Sequence, residues 1–341
     1  MDDYLVTDPG GPTRWGRWLP MAIDDPRLVS TRVPAMAWYQ HGPDDFIRWS
    51  PSTRVVGPTP RWPGPVVLND RRTSHVPSIS GSTYGSCMVW KGGGADRRIW
   101  FSVLDQPLPS PLPGGAGHTW GPQAPAALFE TASFPTVVRY RGRIFMFYKA
   151  TAAYEYQLRW TELRGRDWVH PVTGTLEPAA ATFDWVLTDD GVAVTENVHS
   201  DELVMAWRGR GDDARISWAV FDGESWEQRG AVPGALTSKP PTLACDGNVV
   251  HLAWRNTDDD HISWTRQLGS TWWRPTVLDD RRTAGGPALG ATEGAGGLVM
   301  AWVGGTGDVR IWWSQYENDH WGPQQVFTDR QLDIDLRVSL A

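Results

Sequence analysis

Six copies of one short pattern constrain this chain more than any other feature. They are AMAWYQ (35–40), CMVWKG (87–92), FMFYKA (145–150), VMAWRG (204–209), HLAWRN (251–256) and VMAWVG (299–304). An aromatic recurs as Trp38, Trp90, Tyr148, Trp207, Trp254 and Trp302, at successive spacings of 52, 58, 59, 47 and 48 residues. Two residues earlier stands Met36, Met88, Met146, Met205, Leu252 or Met300. An offset of two places each pair on one face of a β-strand. A second signature follows in each copy: IRWS (47–50), IWFS (99–102), LRWT (158–161), ISWA (216–219), ISWT (262–265) and IWWS (311–314). A short turn then leads to Trp62, Trp120, Trp168, Trp226, Trp272 or Trp321, which helps explain a total of 22 tryptophans.

Most copies are preceded by a Pro-x-aliphatic start, as in PRLV, PSIS, PTVV, PTLA and PALG, with GVAV in the fourth unit. Pro is tolerated at the first residue of a strand, where no ladder donor is needed. Each unit is therefore four short strands, A to D, and no segment sustains a helical period. Four-stranded units of about 50 residues repeated around an axis describe a β-propeller. The competing stacked solenoid uses shorter, more regular repeats. The C-terminal LDIDLRVSL (332–340) alternates as a strand, and DYLVTDPGGPTRWGRW near the start resembles strands C and D. These ends predict seven blades with a composite closing blade, six blades being the alternative, in one domain spanning 1–341. The near-duplicates VLNDRRT (67–73) and VLDDRRT (277–283) fall between strand D of one unit and strand A of the next. They predict ion pairs of Asp70/Arg71 and Asp280/Arg281 that brace neighbouring blades.

A net charge of −7 offers nothing to attract nucleic acid. The acidic N-terminus lacks a secretory pattern, and no run of 18 apolar residues occurs; the expected location is the cytoplasm, with release by another route left open. Cys87 and Cys245 read as buried thiols. The acids of NTDDDHIS (256–263) lack the spacing of a calcium loop and read as a solvated turn. No metal is expected, and no nucleotide, dinucleotide or hydrolase motif implies a cofactor.

The turns before the late tryptophans resemble the Asp-box hairpin of sialidase-type propellers: TRQLGSTW (265–272) keeps Thr265, Gly269, Thr271 and Trp272, with Gln267 in the acidic place. AVFDGESW (219–226) keeps Gly223 and Trp226, with Phe221 there. The tryptophan-rich units also resemble tectonin-like and fucose-binding propeller lectins. That resemblance implies a propeller and sugar recognition.

After the strand-B aromatic comes Tyr39, Lys91, Lys149, Arg208, Arg255 or Val303. A binding protein would stack Trp90, Trp207, Trp254 and Trp302 on a sugar while Lys91, Lys149, Arg208 and Arg255 hold its hydroxyls or a carboxylate. Several equivalent pockets would then give avidity. The plain alternative is that these aromatics pack between blades. Trp18, Trp100, Trp185, Trp273 and Trp312 lie outside the repeat and are candidates for exposed rings. A small-molecule enzyme (cyclase, lyase or glycosidase-like) with one central cleft is the second reading. It would use the divergent third and fourth units, with Lys149, Tyr154, Glu155, Glu196 and His199 as acid, base or clamp. A protein-interaction platform is the third.

Overall fold

Sheets that carry bulky rings on both faces must bury them against other sheets, and the computed structural model shows how. It describes residues 35–39, 45–51, 62, 64–81, 85–104, 120–151, 157–175, 180–247, 249–292, 297–331 and 339–340. The chain divides into compact units Met1–Ser30 and Thr31–Ala341, and every described residue lies in the second.

Six antiparallel sheets follow one another. Blade one orders Ser339–Leu340, Ala35–Tyr39, Phe46–Pro51 and Val66–Arg72; blade two Ser78–Ile79, Cys87–Lys91, Arg98–Val103 and Ala124–Glu130. Blade three orders Thr136–Tyr140, Arg143–Lys149, Gln157–Arg164 and Ala181–Leu187; blade four Ala193–Asn197, Glu202–Arg208, Arg215–Phe221 and Trp226–Leu236. Blade five orders Thr242–Cys245, Val250–Arg255, His261–Leu268 and Thr276–Arg282; blade six Ala288–Ala291, Leu298–Val303, Arg310–Glu317 and Gln325–Gln331. The innermost strands lie side by side around the ring, and the sixth touches the first, so the fold is a closed β-propeller.

The blade number is corrected from seven to six. The spare C-terminal strand does not seed another sheet: Leu340 and Ser339 pair with Met36 and Ala37 and supply the innermost strand of blade one. That pairing covers an edge of Ala35–Tyr39 whose N–H and C=O groups would otherwise lie unpaired. The N-terminal stretch assigned to strands C and D, and PRLV (26–29), fall outside the described residues.

The core is six wedges, one at each blade interface. Within them the two aromatic series of the repeat meet. The strand-C ring of one blade stands edge-to-face with the turn tryptophan of the next: Trp49–Trp120 at 5.7 Å and 79°, Phe101–Trp168 at 5.4 Å and 83°, Trp160–Trp226 at 5.9 Å and 88°. Trp218–Trp272 at 5.6 Å and 89° and Trp264–Trp321 at 6.0 Å and 87° continue the series. At the closing interface Trp62 meets Phe327 at 5.9 Å and 86°, and Phe327 stacks on Trp313. The indole nitrogens of Trp62, Trp120, Trp168, Trp226, Trp272 and Trp321 are buried without a hydrogen-bond acceptor. Each of these indoles packs edge-to-face against a ring of the adjoining blade.

The duplicated DRR segments brace the blades, though chiefly through carbonyls. Each outer strand carries a register shift, and in blades one and five it turns Arg71 and Arg281 inward. Arg71 Nη2 donates to the Gly121 carbonyl (2.6 Å) and Ser102 Oγ (3.3 Å) of blade two. Arg281 Nη2 does the same to Gly322 (2.6 Å) and Ser314 Oγ (3.2 Å) of blade six. Gln123 and Gln324 reach back to the carbonyls of Asp70 and Asp280, so DRR pairs with a second duplicate, WGPQ (120–123 and 321–324). The neighbouring acids add contacts at 3.0 Å and 3.8 Å. Replacing Arg71 or Arg281 by Ala removes the guanidinium's hydrogen bonds to the next blade, while Ser102 and Ser314 keep donating to the Gly121 and Gly322 carbonyls at 2.6 and 2.8 Å. Each change is expected to cost about 1–2 kcal/mol. The two clamps lie two blade interfaces apart around the closed ring and share no partner, so the double variant should lose roughly the sum, read from chemical-denaturation midpoints.

Candidate functional site

The four cations predicted to meet a ligand sit together at one end of the blades, where B–C turns and inter-blade connections lie. A threonine missed by the repeat pattern builds this end: Thr73, Thr131, Thr188, Thr237 and Thr283 are fully buried where strand D leaves its sheet. The N–H groups of Thr73, Thr131, Thr237 and Thr283 bond the B–C turn of their own blade at 2.8–3.0 Å. The cations cross-link these loops. Lys91 Nζ donates to Ser74 Oγ at 2.7 Å and Lys149 Nζ to the Asp189 carbonyl at 2.6 Å. Arg208 donates to the carbonyls of Thr237 (3.1 Å) and Gly211 (2.6 Å); Arg255 donates to that of Thr283 (3.0 Å) and pairs with Asp260. The rings predicted to stack on sugar, Trp90, Trp207, Trp254 and Trp302, lie inside the wedges with at most 3% of their surface exposed. No face of theirs is open to a ligand.

The acids of the turns are also engaged. Asp96, Asp213 and Asp308 each receive the backbone N–H and the guanidinium of the arginine two residues on. A Cβ at Gly92, Gly209 or Gly304 would lie 2.4–2.5 Å from these carboxyls, which is why glycine opens each loop. Asp259 and Asp260 of the acidic turn pair with His261 and Arg255, and among the described residues no three metal-binding side chains cluster.

The open site is a groove between blades two and three. The second residue of the strand-C signature faces the preceding blade, and it is Trp100 in blade two but Arg159 in blade three. Trp100 and its counterpart Trp312 are half-buried in their grooves. Their Nε1 groups donate to Asp96 (3.0 Å) and Asp308 (2.8 Å), and Arg98 and Arg310 lie 4.8 and 4.9 Å from the ring centres. In blade four the residue is Ser217, and Trp185 of blade three's outer strand approaches instead, 5.8 Å from Trp207. Between blades two and three no indole enters, and a cleft of about 300 Å³ remains. Its walls are Leu128, Phe129, Tyr148 and Ala180, with Arg159, Glu130 and Thr151 as polar groups.

Phe129 stacks on Tyr148 at 5.2 Å, and Thr151 Oγ1 donates to Glu130 at 3.3 Å. Burial pushes the Tyr148 hydroxyl up to about 12, with Arg159 beside it pulling the other way, so the phenol stays protonated. Ala127 holds a left-handed backbone, φ 51°, in the strand segment that projects Leu128 outward at 84% exposure. That conformation costs an alanine about 1 kcal/mol and marks a segment shaped for more than pairing. Arg159 sits inside the LRWT signature, yet only comparison with Trp100 and Trp312 at the same position reveals its consequence.

Among the described residues of the constellation predicted for catalysis, Lys149 and Glu196 stand apart. Lys149 ends strand B at the loop end, whereas Glu196 pairs opposite Leu203 near the other end of blade four's inner strands, about 16 Å of strand away by level. Glu196 accepts the Arg141 N–H at 3.4 Å, and His199 is solvent-exposed in the adjacent turn. Tyr154 and Glu155 fall outside the described residues. Among the rings predicted to be exposed, Trp185 and Trp273 are, Trp100 and Trp312 are half-buried, and Trp18 is not described.

No family profile matches the chain, and no curated protein matches it. Solved structures do. A protein of Arthrobotrys oligospora, AofleA, superposes with a TM-score of 0.61 at 9% identity over 87% of this chain and 84% of its own. A lectin of Aleuria aurantia, described as a six-bladed β-propeller with a novel fucose recognition mode, gives 0.58 at 11% identity over 88% and 98%. TolB of Acinetobacter baumannii gives 0.54 at 13% identity over 91% and 66%. At these identities the likeness establishes the fold.

The loop end carries a pH dependence. His75 is held down to about 4 by burial, with the Lys91 and Lys149 ammonium groups adding repulsion. The folded chain therefore binds fewer protons than the unfolded chain between pH 6.5 and about 4, and stability falls as pH drops through that window. His75→Gln is expected to flatten that slope, measured as denaturation midpoint against pH.

Proposed function

We propose that this protein is a carbohydrate-binding propeller whose ligand occupies the cleft between blades two and three. The observation that carries the reading is the cleft in front of Arg159, at a strand-C position where Trp100 and Trp312 bring an indole into two other grooves. A cation there leaves a space of ligand size and faces it with hydrogen-bond donors. Arg159 offers N–H groups to hydroxyl oxygens, the Glu130 carboxylate accepts from hydroxyl hydrogens, and the exposed Leu128 provides apolar surface for C–H faces, backed by the buried Phe129 and Tyr148. A pyranose needs that combination. The architecture shared with lectins, two of them solved with methyl fucosides, supports the assignment and suggests a deoxy-sugar as the first ligand to try.

The grooves differ around the ring, so the reading predicts one strong site per chain in place of many equivalent ones. Titration calorimetry with α-methyl-L-fucoside and other methyl pyranosides should give a stoichiometry near one. Arg159→Trp, which installs the residue that two other blades already accommodate, should abolish binding at the cleft while preserving the fold. Glu130→Gln should weaken it by roughly tenfold, the loss of one charge-assisted hydrogen bond. Unchanged affinity in Arg159→Trp would remove the cleft from consideration.

A further inference from the structure

We propose that Trp273 and the arginine beneath it form a second subsite, a stacking platform for the apolar face of a neutral pyranose on blade five. Trp273 follows the turn tryptophan Trp272, a place held by Gly121, Val169, Glu227 or Gly322 in four other blades. The repeat does not need a ring there, and the indole is 45% exposed.

It is nevertheless firmly held. The Trp273 N–H donates to the Arg266 carbonyl at 2.9 Å, and Thr265 Oγ1 donates to the Trp273 carbonyl at 2.7 Å. The Arg266 guanidinium lies 3.9 Å from the ring centre and covers one face. Arg266 is itself anchored to blade six, where Nη1 donates to Asp319 at 2.6 Å and to the Tyr316 hydroxyl at 3.2 Å. Asn318 and Asp319 both take left-handed backbone, φ 51° and 64°, to close the turn that presents this carboxylate. Two strained residues, an ion pair and a cation–π contact thus orient a ring whose other face is left to solvent.

The chemistry selects the ligand. A guanidinium behind the ring repels a cation from the open face, and Asp319 already balances that guanidinium. A neutral ring with a C–H face fits. Thr271, Ser270 and Arg274, all exposed, can meet its hydroxyls at the rim. A single indole face is far below the roughly 800 Å² per partner of a stable protein interface, but it matches one sugar ring. This shares the ligand class of the cleft reading and none of its residues.

The test follows indole N–H signals in nitrogen–proton correlation spectra of the full chain. The Trp273 signal is identified as the one lost in Trp273→Phe, an exposed position whose change leaves the core intact. Methyl fucoside, galactoside, glucoside and mannoside are titrated into the wild type and into Arg159→Trp. A saturable shift of the Trp273 signal in both chains, lost or weakened in Arg266→Ala, is expected. A signal that none of the four glycosides moves overturns the platform, whatever happens at the cleft. A shift present in the wild type and absent from Arg159→Trp also overturns it, because Trp273 would then only report the cleft.

Discussion

The edge-to-face contact between a strand-C ring and the turn tryptophan of the next blade is the interaction on which the ring depends. Each such pair adds about 0.5–1.5 kcal/mol beyond the burial of its surface. Its larger effect is directional. The ring that stands edge-to-face with each of these turn tryptophans belongs to the preceding blade, while Phe221 and Tyr316 also contact Trp226 and Trp321 from within their own blades. A linear stack would leave one end uncovered, and closure removes that end. At the junction Phe327 stands between Trp313 and Trp62 and completes the circuit. The C-terminal strand then pairs with blade one and closes the backbone as the rings close the core.

The same constraint decides where polar chemistry is tolerated. In a propeller both faces of every sheet are buried against neighbours, so a charged side chain inside a wedge needs partners from the adjoining blade. Arg71 and Arg281 meet that condition through carbonyls made available by WGPQ, at Gly121 and Gly322. Arg159 lies nearer the rim, beside Tyr148, and no indole covers the space in front of it. At this strand position tryptophan fills the groove in blades two and six, whereas Arg159 in blade three leaves a cleft.

The architecture was legible in the sequence because it rests on periodic aromatics at fixed offsets. The blade number was not. LDIDLRVSL is recognisably a strand, but whether it begins a sheet or completes one depends on which backbone edge it meets, and Ala37 and Met36 carry no sign of that. The stacking role expected of Trp90, Trp207, Trp254 and Trp302 was misplaced for a related reason. Alternation separates core from surface only when one sheet face is wet; here both are dry. Arg159 was illegible because its meaning is relational, fixed by the tryptophans that occupy its place two interfaces of the ring apart from one another.

A repeated residue is therefore weak evidence for a binding role in this fold. Lys91, Lys149, Arg208 and Arg255 recur because each blade must tie its loop to a neighbouring one, and their donors are taken up by carbonyls and hydroxyls. Sites able to receive a ligand arise where the pattern fails and the failure is not repaired. Ser217 replaces an indole, but Trp185 approaches from the other side and fills part of the space. At Arg159 nothing does, and at Trp273 a ring is added that no neighbouring blade covers. Both departures pair an arginine with an aromatic side chain, Arg159 with the buried Tyr148 and Arg266 with the exposed Trp273, at the margin of a sheet. That is the one region where a propeller can change its chemistry without disturbing the contacts that hold its blades in a circle.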